Sequence, residues 1–225
     1  PYFEYVSRGT RSNQLFIKNS VDQNMSDFRP IYEWFRDTLT LISPDAKFGG
    51  DYEQLFREGH PFYEKMIGTL TQLDTGIVKL HGENISLSSL EAPPWVEALK
   101  ESIREAMNQG GPAQFIVQGE NERFLASIKD DDLIFQNLVT YHTATDGKEI
   151  KFEISQESDG TQRIIDLLPA FLGVSAPGTK KVFVIDELDR SLHTLLTRRL
   201  LETYLGQCTS ETRGQLLFTT HDVLL

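Results

Sequence analysis

The chain of 225 residues has one cysteine, Cys208. That excludes an internal disulfide framework and a zinc site built from several cysteines, and makes a cytosolic home the expectation. Long hydrophobic runs are missing as well. No stretch approaches the roughly 20 apolar residues needed to cross a bilayer, and no secretory signal opens the chain. Positive charge is scarce: 22 Lys and Arg stand against 33 Asp and Glu, a formal charge of −11. Broad, non-specific DNA binding works by neutralising phosphates, so this balance argues against it for this segment. Local basic patches such as Lys180-Lys181 with Arg198-Arg199 read by default as solvated surface. With 39% hydrophobic and 24% charged residues, the chain has the make-up of a globular protein able to bury a sizeable core.

A starting methionine is also absent. The chain opens at Pro1 and stops at Leu225, just past an apolar strand and a His-Asp pair, and reads as part of a longer protein. Residues 2–18 alternate apolar and polar around Gly9, which predicts strand-like structure. From Ser26, a possible N-cap, Phe28, Ile31, Trp34, Phe35, Leu39 and Leu41 follow helical spacing. After Gly49-Gly50, Tyr52 to Leu73 reads as a second helical stretch broken near Gly59-His60-Pro61. Ile77–Leu80 is a short strand, and Trp95–Met107 a helix closed by Gly110-Gly111. From Gln114 the pattern turns β, with strands at 115–117, 124–128, 133–141 and 149–154, the last two joined across Asp146-Gly147. A helix then runs from Gly160 to about Leu172, a strand over Val182–Ile185, a helix over 192–205 and a strand over 215–218. Apolar strands alternating with helices predict a parallel sheet covered on both faces.

The chemistry centres on Val182-Phe183-Val184-Ile185-Asp186-Glu187. Four apolar residues ending in two acids suit a nucleotide hydrolase. The strand fixes the first acid near Mg²⁺, and the second stands beside the attacking water. The next apolar strand ends in Thr219-Thr220-His221-Asp222, which brings an imidazole to the same sheet edge, within reach of a γ-phosphate. Upstream, Glu157-Ser158-Asp159-Gly160-Thr161-Gln162-Arg163 stands at a strand–helix junction. There Ser158 offers a hydroxyl, Gly160 close backbone approach, and the helix its free N–H groups. A plain N-cap by Ser158 fits the same residues, and the two roles are compatible.

In this order the three segments resemble the ABC-type ATPase core of the SMC and recombination-repair group. They look closest to AAA15-type ATPases related to the overcoming-lysogenization-defect (OLD) nucleases and to ATPases of anti-phage systems. Glu157–Thr161 stands at the signature motif, Asp186–His193 at the Walker B and D-loop, and Thr220-His221-Asp222 at the switch histidine. The resemblance covers about residues 132–225; the helical stretch from Pro30 resembles the family's insertion less closely. It implies an α/β P-loop NTPase fold: an ABC ATPase-like parallel sheet with an antiparallel β segment and a helical insertion. By it, residues 1–22 would end a β-rich N-terminal ATPase lobe, 23–112 would be a mainly helical insertion, and 113–225 a C-terminal lobe.

The resemblance also implies ATP and Mg²⁺ as cofactors. Asp186 would help hold the metal, Glu187 would activate water, and His221 would sense the γ-phosphate. Ser158, Gly160 and Thr161 would contact nucleotide bound by a second subunit, and Arg190, Ser191 and His193 would lie at the dimer interface. Partners would be further copies, in a homodimer or higher oligomer, and a nuclease or toxin effector as a partner or fused domain; nucleic acid could be reached through such a partner, and no membrane would be involved.

Two departures stand out. Asp159 and Thr161 replace the signature's first glycine and its glutamine. No Gly-x-x-x-x-Gly-Lys-Ser/Thr occurs; Gly173–Lys180 lacks the lysine in place and runs from helix into strand, so the phosphate loop is expected upstream of Pro1. Two rival readings share the same acids. One is a Mg²⁺-dependent nuclease on Asp186, Glu187 and Asp189 with His221 as base; the other is a scaffold that binds ATP without turning it over. Trp34, Phe35 and Trp95 read as packing residues. Asp130-Asp131-Asp132 reads as a solvated turn, and Cys208 as a structural or surface thiol. His60, His81 and His142 lack a partner at metal-ligand spacing.

Overall fold

The computed structural model of the chain describes residues 2–46, 58–85, 94–108, 114–118, 123–129 and 132–225. The expected β-rich start is helical instead, with α1 at Tyr2–Gly9 and α2 at Phe16–Asp22. The reason is tertiary. Helical geometry gathers Phe3, Phe16 and Phe28 into one aromatic cluster, with ring centroids 5.1 to 6.0 Å apart. The buried Asn19 ties the two helices by donating from Nδ2 to Thr10 Oγ1 at 2.9 Å. Alternation over so few residues is a weak constraint beside such a cluster.

The helix expected to run through Leu41 is divided. A 3-10 turn at Ser26–Phe28 leads into α3, Arg29–Asp37, with Pro30 in its first turn. Phe28, not Ser26, holds the N-cap position of α3. The chain then extends as β1, Leu39–Ile42, because Thr40 and Ile42 are β-branched and a partner strand is at hand. Thus the segment 23–112, read as a mainly helical insertion, contributes a strand to the parallel sheet.

His60 caps α4 (Pro61–Gln72), its Nδ1 accepting the Phe62 N–H, with Pro61 at the first helical position where its missing N–H is harmless. The predicted helix from Tyr52 to Gly59 falls mostly outside the described residues, as do Gly49-Gly50, Gly110-Gly111 and Asp130-Asp131. Next come β2 (Ile77–Ile85), α5 (Pro94–Asn108), β3 (Gln114–Gln118), β4 (Arg123–Lys129), β5 (Asp132–Thr143) and β6 (Glu149–Glu153). These five strands form one antiparallel sheet in the order β2-β5-β4-β3, with β6 also paired to β5. The β5–β6 connection is longer than the two residues Asp146-Gly147. Ala144 N–H donates to Lys148 O, and Gly147 takes φ +83, so the loop spans Thr145–Gly147 with glycine in the left-handed position.

The last elements follow the expected rhythm: α6 (Asp159–Ser175), β7 (Val182–Ile185), α7 (Thr194–Gln207) and β8 (Gln215–Phe218). Strands β1, β7 and β8 lie parallel in that order. One core joins both sheets: Ile42, Phe183 and Ile185 from the parallel sheet meet Met66 and Leu70 of α4, Leu80 and Leu138 of the antiparallel sheet, and the buried face of α6. Coverage on both faces does not hold for the described residues. Leu41, Val184 and Leu217 share one register row on the opposite face, where Leu41 is 71% and Leu217 49% exposed.

Candidate functional site

Because β1, β7 and β8 are parallel, their carboxyl ends meet at one edge, and backbone bonds continue past the strands there. Asp186 N–H donates to Ile42 O at 2.9 Å, Thr219 N–H to Ile185 O at 3.0 Å, and Leu188 N–H to Thr219 O at 3.0 Å. Glu187 is skipped by this ladder and sits at φ +48, the left-handed region that side-chain-bearing residues rarely adopt. Its N–H donates instead to the Thr219 hydroxyl at 2.8 Å, and the same hydroxyl donates to Asp186 Oδ1 at 2.5 Å.

The Glu187 carboxylate lies between an imidazole and a guanidinium. His221 Nε2 lies 3.4 Å from Oε1, and Arg190 Nη1 lies 3.3 Å from Oε2. Arg190 in turn reaches Asp45, just after β1, at 2.7 Å. The His221 ring is 81% exposed, while its backbone N–H donates to Asp189 Oδ1 at 3.3 Å. Burial pushes the Asp189 carboxyl up, but hydrogen bonds from the Thr220 hydroxyl, its own N–H and the His221 N–H outweigh it. The net effect holds Asp189 below the ordinary carboxylate value. Next along the chain, Asp222 accepts from the Thr194 hydroxyl and so ties the segment after β8 to the start of α7.

At the start of α6, Ser158 is the N-cap: its Oγ accepts the Thr161 N–H at 3.1 Å and lies 2.8 Å from Thr161 Oγ1. Gly160 lies against the turn that follows Glu187. A side-chain carbon there would stand 3.1 Å from the Ser191 carbonyl oxygen. Ser191 itself has φ +62, and His193 caps α7 by accepting the Leu195 N–H at Nδ1. So Gly160, between Ser158 and Thr161, adjoins the Arg190–His193 turn at Ser191, while Asp186, Glu187 and His221 gather at the end of the parallel sheet.

A family model described as "AAA domain, putative AbiEii toxin, Type IV TA system" matches residues 35–225. The chain belongs to this family. Its fold is accordingly that of a P-loop NTPase, here an α/β arrangement with a parallel and an antiparallel sheet, and membership carries a nucleotide-binding, ATPase-type function. No curated protein and no solved structure matches the chain. No helix among the described residues is long and apolar enough to cross a membrane.

The residues fit a nucleotide and its Mg²⁺ in part. Asp186 is exposed, and only its Oδ1 is engaged by a described residue. This leaves Oδ2 for a hydrated cation of the kind that binds through one or two carboxylates plus phosphate. The open start of α6 supplies N–H groups suited to an anion. Among the described residues, no group of three or more His, Cys, Asp or Glu is placed to hold a metal by itself.

Four residues of this region carry no role in the sequence reading. Thr219 links the two acids, and only its place at the end of an apolar strand hinted at that. Asp45 gives no local signal, since it meets Arg190 only through the β1–β7 pairing. Glu157, read merely as part of the signature segment, accepts from His142 Nε2 at 2.7 Å and from the Thr140 hydroxyl, anchoring the approach to Ser158 on β5. Arg163 is 7% exposed, and its Nε and Nη2 find no partner among the described residues.

Proposed function

We propose that the chain is the catalytic part of an ATP-hydrolysing subunit that pairs with a second copy around nucleotide and thereby controls an effector. The observation that carries this reading is the meeting of Asp186, Glu187 and His221 at one sheet edge, with Thr219 linking the two acids. Bound Mg²⁺ would supply charge that neutralises the phosphates. Asp186, held at Oδ1 by Thr219, would help hold that cation through its free Oδ2. Glu187 accepts a proton from the attacking water, and the His221 imidazole meets the γ-phosphate as donor.

Ser158, Gly160 and Thr161, at the amino end of α6, would contact nucleotide held by the other copy. Arg190, Ser191 and His193 would face that copy across the interface. Glu187 is bound by Arg190 and His221 in the single chain, so formation of the pair has a contact to break before the carboxylate is free for water. The family description names a toxin of a type IV toxin–antitoxin system. A toxin effector is the output that this description supports; a nuclease effector acting in defence against phage is what the resemblance implies.

The nuclease alternative finds less support, because the Asp189 carboxylate is spent on Thr220 and on the His221 N–H of its own loop. The test is phosphate release by the full-length protein and its Glu187→Gln variant. Loss of turnover by about 100-fold or more is expected for a removed general base; unchanged turnover sinks Glu187 as the activating carboxylate. ATP-dependent pairing without any phosphate release would favour the scaffold reading.

A further inference from the structure

We infer that Thr219 is a positioning residue for this site: its hydroxyl sets the orientation of the metal-facing Asp186 carboxylate and at the same time holds the backbone of Glu187. The inference rests on the ATPase reading above and adds a residue to it.

Hydrogen-bond valence fixes the direction of both contacts. A hydroxyl has one proton and two lone pairs, a backbone N–H only donates, and an ionised carboxylate only accepts. At 2.8 Å from the Glu187 nitrogen the hydroxyl therefore accepts, and its single proton goes to Asp186 Oδ1 at 2.5 Å. No rotation of the hydroxyl serves both neighbours in any other way. Deleting it leaves a backbone N–H without its acceptor and a carboxylate free to rotate.

Glu187 is where such support is needed. Its left-handed φ takes it off the strand ladder, since Asp186 N–H is used by Ile42 and Leu188 N–H by the Thr219 carbonyl. Thr219 thus grips this turn twice, by its hydroxyl before the strained residue's peptide and by its carbonyl after it. A strained backbone persists only where its surroundings over-determine it, and such residues cluster at functional sites. Thr219 also stands two residues ahead of His221, so one side chain sets the separation of both acids from the strand that carries the imidazole. Groups that hydrogen-bond a metal-binding carboxylate orient it, and their removal typically weakens metal affinity or activity by about 10–100-fold.

The experiment uses the full-length protein with Thr219→Val, which keeps shape and loses the hydroxyl, and Thr219→Ser, which keeps the hydroxyl. Mn²⁺ binding in the presence of a non-hydrolysable ATP analogue is read by electron paramagnetic resonance. Phosphate release is measured against Mg²⁺ concentration, and analogue binding in the absence of metal serves as control. The expected result for Thr219→Val is Mn²⁺ affinity weakened about tenfold or more, a higher Mg²⁺ half-saturation point and a lower kcat. Metal-free analogue binding should be unchanged, and Thr219→Ser should stay close to the parent protein.

Wild-type Mn²⁺ affinity in Thr219→Val overturns the inference while leaving the ATPase reading intact. Equal loss in Val and Ser overturns it too, since the methyl group would then be the important part. A parent protein that binds neither analogue nor Mn²⁺ overturns both. Should Thr219→Val not fold, as judged by thermal melting, the comparison of Thr219→Ser with Thr219→Ala decides on the same readouts.

Discussion

Gly160 and Ser191 are in backbone contact: any side-chain carbon at Gly160 would stand 3.1 Å from the Ser191 carbonyl oxygen. This places the first turn of α6 directly on the turn between β7 and α7. The contact is tight on both sides, because Ser191 is already at φ +62. The amino end of α6 and the Arg190–His193 turn therefore meet with no room for a side chain between them. In the proposed pair, a change at the nucleotide contact of α6 would be passed by this contact to the interface turn and, through Arg190, to Glu187.

Gly160→Ala is accordingly expected to displace the Ser191 turn by a few tenths of an ångström and to lower ATP-dependent pairing, with the fold kept. Ser191→Gly relaxes the left-handed position that fixes the carbonyl. In a double-mutant cycle read by analytical ultracentrifugation with ATP, the two changes should be non-additive by about 0.5 kcal/mol or more. Additive effects would mean that the two turns respond independently.

Much of this site was legible because its residues lie at the ends of apolar strands, where a continuous run of uncharged residues stops at a polar group. Val182–Ile185 before Asp186 and Gln215–Phe218 before Thr219 both announce themselves in this way. The helix of α6 was equally plain, from its Ser158 cap through Ile164, Ile165, Leu168 and Phe171. Illegible were the elements whose identity is decided by distant partners. Leu39–Ile42 continues a helical spacing yet becomes a strand because Val182–Ile185 offers it a free edge. Residues 2–18 alternate like a strand yet coil into helices because Phe3, Phe16 and Phe28 pack on one another. The pairing of Arg190 with Asp45 depends on the same β1–β7 register and could be seen only once that strand was in place.

A pH-dependent property follows from Tyr204 on α7. Burial, and then its hydrogen bond to Cys208, raise the phenol from its ordinary value of 10.0 to about 12, and its ring meets Phe171 edge-on at 5.8 Å. The folded chain thus keeps a proton that the unfolded chain releases near pH 10. The sign is that of a raised group: its stabilising contribution is complete below pH 10 and is lost as pH rises from 10 toward 12. Titration followed by tyrosinate absorbance, parent minus Tyr204→Phe, should show one phenol ionising near pH 12. Between pH 10 and 12, stability should fall less steeply in Tyr204→Phe than in the parent. A difference spectrum with its midpoint at pH 10 would contradict the half-buried, thiol-bonded setting.

Arg163 gives the sharpest stability test. It is buried on α6 at 7% exposure, donates from Nη1 to Ala46 O at 3.2 Å, and leaves Nε and Nη2 without partners among the described residues. Burial lowers its pKa; Asp166 and Asp45 act to raise it, and the nearby Arg190 adds to the lowering. An unsatisfied buried donor costs about 1–3 kcal/mol, against about 1 kcal/mol for the one bond that is made. Arg163→Met fills similar space with no polar atoms, so urea unfolding should show stability unchanged or raised by up to about 2 kcal/mol. Arg163→Ala removes the same charge but opens a void, and should lose about 2 kcal/mol or more. If Met were as damaging as Ala, the guanidinium would have to be fully bonded in solution. If Met gains stability and phosphate release falls, Arg163 belongs to those buried charges kept at a stability cost for the work of the site, one turn along the helix from Ser158.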